Sequence, residues 1–247
     1  MYALSHPKIA PKLDGQLIFF ATPAEEYGEA EFKNQLIAAG EITYGGGKCE
    51  LLRIGAFDNV DAALAHHIEP EGLSAGNGNS NGFVAKVIRI KGKAAQKTDR
   101  SFKAGALALG AGYRIETTPG YLPSLPQAFP DELIEGITEA AGKAPRIVDL
   151  SNHSAGSTDV GDVQHLLPVL TFHTGGVTGG LHQNNFSVVD EDEAYVLTAK
   201  IFALSAYCLL KDGAALGRKL KEEYQPVFKN KEEYIKFLDL FHSVEEG

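Results

Sequence analysis

Four short stretches of this chain carry residue types that can do chemistry. Glu25 and Glu26 are adjacent carboxylates, so one can hold a metal ion while the other moves a proton. His66-His67-Ile-Glu-Pro70 offers imidazole nitrogen, a borderline ligand suited to zinc. Ser157-Thr-Asp-Val-Gly-Asp162 gathers small hydroxyl and acidic groups. Gly175-Gly-Val-Thr-Gly-Gly-Leu-His182 sets an imidazole beyond glycines that allow close backbone approach to a ligand. Each stretch also has a plainer reading: an acidic loop, a histidine pair in a polar turn, a helix N-cap and a glycine loop. Together, Glu26, His67 and His182 supply a donor set for zinc or manganese without any thiolate. Glu25 beside them reads as the general base on a metal-activated water, the chemistry that hydrolyses amides.

The elements around these stretches place them at strand and helix ends. Leu17 to Ala21 is a continuous apolar run, expected to be a buried central strand stopped by Pro23. The glutamate pair would then lie just past a strand's carboxyl end, where open α/β sheets bind ligands. Val60 to His66 and Val169 to Phe172 read as further strands, and Arg146 to Leu150 as another. Helical spacing marks 30–39, 97–110, 131–141 and 191–210, with 49–54 a helix or turn and a pair of short charged helices over 219–241. Gly45-Gly-Gly-Lys48 lacks the spaced first glycine and the hydroxyl residue of a phosphate-binding loop, so it reads as a turn. The polar run Gly76 to Gly82 reads as a linker. Strands alternating with helices make the class α/β, with a mixed, mostly parallel sheet flanked by helices.

Composition narrows the partners. The 247 residues are 44% hydrophobic and 22% charged, enough to bury a real core. With 32 acidic against 23 basic residues and no basic cluster, nucleic acid is not an expected partner. Cys49 and Cys208 match no metal or redox spacing and fit a reducing, cytoplasmic setting. Met1 to Pro7 has neither the basic start nor the apolar core of a signal peptide. Ala194 to Leu210 contains Lys200 and is shorter than a bilayer span, so a membrane is not an expected partner either.

The four stretches, in this order, resemble the M20 metallopeptidases. The likeness rests on Ala21-Thr-Pro-Ala-Glu-Glu26, the run Gly55 to His67, Gly156 to Asp162 and Gly179-Gly-Leu-His-Gln-Asn-Asn-Phe186. It is nearest to the amidohydrolase branch of aminoacylases, hippurate-type hydrolases and aminobenzoyl-glutamate hydrolases, and covers nearly the whole chain. The resemblance implies Glu25 as general base and Glu26, His67 and His182 as metal ligands. His67 is preferred to His66 because His67 to Pro70 keeps the family's His-x-x-Pro frame. It implies substrate contacts at Ser157, Thr158, Asp159, Gly179 and Gly180. It implies two zinc or manganese ions, and an N-acyl amino acid or small dipeptide as substrate. Its catalytic α/β domain would be split as residues 1–81 and 119–247 around a smaller lid at 82–118, through which family members form homodimers.

Two features depart from the family pattern. Its Cys-Gly-His-Asn-type metal segment lies ahead of the glutamate pair and has no counterpart in this sequence. An unprotected sheet edge is the expected consequence. The lid is reduced to strand, helix and strand, with Gln96 where the family has a histidine. The alternative to a metal-dependent amide hydrolase is therefore a non-catalytic remnant that binds a small acylated ligand or a partner protein.

Overall fold

The structure is a computed structural model that describes residues 2–90 and 99–247. Gln96, the residue in the family's histidine position, lies outside the described residues, as does the start of the helix expected over 97–110. Two sheets dominate. The larger has four strands in the order β1 (Ala63–Ile68), β8 (Val169–Thr174), β2 (Ser74–Ala75), β6 (Arg146–Ile147). β1 and β8 run parallel, as do β2 and β6, while β2 and β8 are antiparallel. This is the mixed, mostly parallel sheet of an α/β protein.

Period-two alternation gives this sheet two apolar faces. Val169, with Ala63 and Ala65, packs under α2 (Gly47–Arg53), α5 (Val160–Gln164) and α7 (Lys231–Leu238), around buried Tyr44, Cys49, Leu52 and Tyr234. Leu170 and Phe172 point to the other face, with Leu64 beside them. They meet α4 (Asp131–Ala141) and α6 (Thr198–Glu223) through Leu133, Ile137, Ile201 and Leu209. The 3.6-residue period explains α4: Leu133 and Ile137 are four apart and both buried. Asp131 and Glu132 favour its N-terminal dipole, and Gly142, at φ 65°, ends it in the left-handed conformation.

The smaller sheet is antiparallel. β4 (Val84–Ile90) pairs with β5 (Tyr113–Pro119), and α3 (Asp99–Ala108) connects them. The strand-helix-strand unit expected over 82–118 also gains β11 (Ser243–Glu246), which pairs with the other edge of β5. Two ion pairs accompany the docking: Arg114 of β5 meets Glu246, and Lys103 of α3 meets Glu245. Four further two-residue strands form two short ladders. β3 (Asn79–Ser80) pairs with β7 (His153–Ser154), and β9 (Val177–Thr178) with β10 (Ser187–Val188). The polar run Gly76 to Gly82 is therefore pinned to the larger half of the molecule. A Cβ at Gly78 would lie 2.3 Å from the Asn152 carbonyl oxygen, so only glycine permits this approach. Ahead of these strands, α1 (Ala30–Ala38) follows the glutamate loop.

Two expectations are corrected. Leu17 to Ala21 is not a buried strand. It has no ladder partner among the described residues, and Phe19 is 78% exposed. Apolar composition signals a demand for burial, but a strand forms only where neighbouring backbone completes its hydrogen bonds. Here only Phe20 finds packing, stacked on Phe57 at 4.5 Å. The strand expected from Val60 also starts later, at Ala63, because the turn that ends on Val60 closes through its amide and the Phe57 carbonyl.

The long helical region Asp192–Glu223 meets the length and composition of a membrane span. It is not one uninterrupted rod. Asp192–Leu197 is a π-helical turn, and Lys211–Ala214 break α6 with positive φ at Asp212, Gly213 and Ala214. Its Ile201, Ser205, Ala206, Cys208 and Leu209 are buried, and α4 is its main packing partner.

Asp162 ties the first core together. Its carboxylate accepts from the Tyr234 hydroxyl at 3.0 Å and the Leu122 amide at 3.1 Å, and it is fully buried. Burial pushes its carboxyl up to about 7. Between the unfolded value and about 7, the folded state holds a proton that the unfolded chain has released. Asp162 therefore draws stability away as pH rises across that window. We expect Asp162→Asn to lack this loss: urea denaturation should show the variant gaining on the parent protein from about pH 4 to 7.

Candidate active site

A cleft of about 1840 Å³ runs between the Gly15–Phe20 segment and β1. β1 is an edge strand, so the cleft lies along the open side of the larger sheet. Glu25, Glu26, Lys48, His67, Thr158, His173 and His182 all line it.

The glutamate loop is strained and clamped. Ala24, Tyr27 and Glu29 all hold positive φ, between 50° and 58°. For residues with a Cβ this costs on the order of 1–3 kcal/mol each and persists only where surrounding contacts enforce it. Those contacts are present. The Tyr121 hydroxyl donates to the Ala24 carbonyl at 3.2 Å and also to the Glu25 carbonyl. The Tyr27 hydroxyl donates to the Pro119 carbonyl at 2.8 Å. Gly47, at the start of α2, abuts Pro23 so closely that a Cβ would sit 1.7 Å from its carbonyl oxygen.

The two glutamates face different partners. Glu25 is half-buried, and its Oε1 accepts from the Thr158 hydroxyl at 2.9 Å. Glu26 reaches outward, with Oε1 3.8 Å from His182 Nδ1; the two side chains are 71% and 67% exposed. His182 itself holds φ 59°.

His67 points elsewhere. The β1–β8 register sets it beside His173, and its Nδ1 lies 3.9 Å from Glu69 Oε1. His173 Nε2 approaches the same oxygen at 3.3 Å, and its Nδ1 meets the Ser74 hydroxyl at 3.0 Å. Burial, with His67, His66 and Arg146 nearby, pulls His173 down to about 4. It is neutral at pH 7, so its contact with Glu69 is not an ion pair. His66 is on the opposite face, bonded to Thr174 at 2.8 Å and packed on Phe172, and burial holds it near 4 as well. Sequence reasoning overlooked Glu69 and His173, although the facing strands of the sheet could have suggested the second.

The glycines and the loop after the third motif also have definite places. Gly179, at φ 87°, would put a Cβ 2.2 Å from the Asn185 carbonyl oxygen, and the Gly180 amide donates to Asn185 Oδ1. They shape the turn that presents His182. Ser157 is exposed on the cleft wall. Asp159 is fully buried, its carboxylate taken by the Lys48 ammonium and, at 3.1 Å, by the Lys48 amide. Burial outweighs the lysine and holds this carboxyl above its usual range.

A carboxylate and an imidazole at the Glu26–His182 spacing are a reasonable half of a metal shell. A catalytic zinc takes three protein ligands. Among the described residues, no group of three His, Cys, Asp or Glu side chains is placed to hold an ion. As placed, these residues do not fit a catalytic metal centre: His67 lies with Glu69 and His173 instead of joining Glu26 and His182.

The chain belongs to peptidase family M20/M25/M40, whose description it matches over residues 1–207. No curated protein matches it. Among solved structures it is similar to the YXEP protein of Bacillus subtilis, a dinuclear metal-binding peptidase of the M20 family. The identity is 17% and the TM-score 0.44, over 76% of this chain and 63% of that one. It is also similar to a protein of methicillin-resistant Staphylococcus aureus assigned provisionally as an aminohydrolase, at 12% identity and a TM-score of 0.32. That match covers 73% of this chain and 64% of the other, so the chain spans less than two thirds of either structure.

Proposed function

We propose that the chain hydrolyses the amide bond of N-acyl amino acids or small dipeptides, with Glu25 as general base. The observation that carries this reading is the Glu25 carboxylate, held by Thr158 at the wall of a large open cleft inside a strained loop. Glu25 would take a proton from the attacking water as its oxygen bonds to the carbonyl carbon. It would return that proton to the nitrogen as the C–N bond breaks, so the acid and amine leave with all atoms accounted for. The cofactor in this reading is zinc or manganese; Glu26 and His182 would be two of its ligands, and His67 would have to leave Glu69 and His173 to join them. Small acylated molecules are the partners, and a cytoplasmic setting and lid-mediated homodimer belong to the same proposal.

Calorimetry with zinc or manganese tests the ligand assignment. Glu26→Ala and His182→Ala should each weaken metal binding at least tenfold, a factor typical of losing a ligand or its support. Unchanged affinity in both variants contradicts the assignment. The second reading, a non-catalytic binder of acylated ligands, draws support from the separation of His67 from the Glu26–His182 pair. Binding of an N-acyl amino acid that survives Glu26→Ala and chelation, without turnover, would favour it.

A further inference from the structure

We propose that Thr158 is a positioning residue for Glu25 and that the Lys48–Asp159 pair is the strut that holds Thr158 in place. The inference rests on the reading of Glu25 as general base and adds how that base is aimed. A half-buried carboxylate on a flexible stem has several rotamers, and a proton acceptor off by about 1 Å can lose about 10²-fold in rate. Glu25 therefore needs something to select one orientation.

Thr158 supplies that selection. Its hydroxyl accepts from the Val160 amide at 3.4 Å, which turns its single proton toward Glu25 Oε1 at 2.9 Å. One carboxylate oxygen is thereby engaged, and Oε2 is the one presented to the reacting proton. Among the described residues no other side chain donates to this carboxylate.

The next residue explains why Thr158 stays put. Asp159 is buried with its carboxylate held twice by Lys48, through the side chain and the backbone amide. Lys48 is the second residue of α2, and the first, Gly47, is the one packed against the Pro23 carbonyl. A single turn thus touches both halves of the arrangement, the strand of chain that bears Glu25 and the loop that bears Thr158. The glycines of Gly45-Gly-Gly-Lys48 serve close backbone approach, and the lysine serves the buried aspartate.

Steady-state kinetics on N-acyl amino acids with Thr158→Val, Thr158→Ser and Glu25→Gln tests the proposal. Thr158→Val should lower kcat by about 10–10²-fold with KM unchanged. Thr158→Ser keeps the hydroxyl and should return to within about threefold of the parent protein. If Glu25→Gln is inactive while Thr158→Val keeps full kcat, the positioning role is overturned and the base assignment stands. If Glu25→Gln is fully active, the base assignment itself falls. A crystal structure of Thr158→Val decides the positioning role without any turnover: the Glu25 carboxylate should leave its place beside residue 158, and an unmoved carboxylate refutes the proposal.

Discussion

Glu25→Gln should lower kcat for amide hydrolysis by about 10²–10⁴-fold, the usual worth of a positioned general base. The amide of glutamine is nearly the same size and its oxygen still accepts from the Thr158 hydroxyl. The loop, with its Tyr121 and Gly47 contacts, has no reason to move. What disappears is the capacity to take a proton, which matters only as the C–O bond forms. KM should therefore stay within a few-fold of the parent value, the signature of an interaction made in the transition state. A matching rise in KM would instead assign Glu25 to substrate binding.

The second large effect concerns stability. Lys48→Met should cost about 3–5 kcal/mol in urea denaturation near pH 8, because it strands the buried Asp159 carboxylate. The pair itself adds little net stability, since burial already outweighs the lysine in setting the Asp159 carboxyl. The cost therefore comes from breaking the pair, and pH should reveal this. Without Lys48 the folded-state pKa of Asp159 rises further above its unfolded value. The penalty is then complete above the folded value and fades as pH falls through it. A loss that is the same at pH 5 and pH 8 would mean that packing of the lysine stem, and not the stranded charge, carries the effect.

Much of the fold was legible because its signals are local. Leu133 and Ile137, Pro130 ahead of them and Gly142 behind mark α4 to the residue. Val169 to Phe172 is apolar on both faces because both faces of β8 are covered. Leu17 to Ala21 has the same composition and a different fate, since nothing in a single segment says whether a neighbouring strand will be there to pair with it. β11 escaped notice for the converse reason. All four residues of Ser243–Glu246 are exposed and three of them are polar, and only the open edge of β5 makes it a strand.

The candidate site divides along similar lines. The paired glutamates, His67 and His182 are visible as residue types, and the cleft does gather them on its walls. Their mutual orientation is a tertiary property: Glu26 meets His182, while the β1–β8 register hands His67 to His173 and Glu69. Asp159 looked like a group for substrate, but its burial under Lys48 is set by α2, more than a hundred residues earlier in the chain. Lys48 looked like part of a failed phosphate loop because its partner is equally distant in sequence.

The most direct test of the central claim is release of free amino acid from a panel of N-acyl amino acids, with zinc or manganese present and folding verified by circular dichroism. The account predicts turnover of at least one member, lowered about 10²–10⁴-fold in Glu25→Gln. A folded, metal-supplied protein that cleaves none of them, or cleaves them equally well with glutamine at position 25, would contradict it.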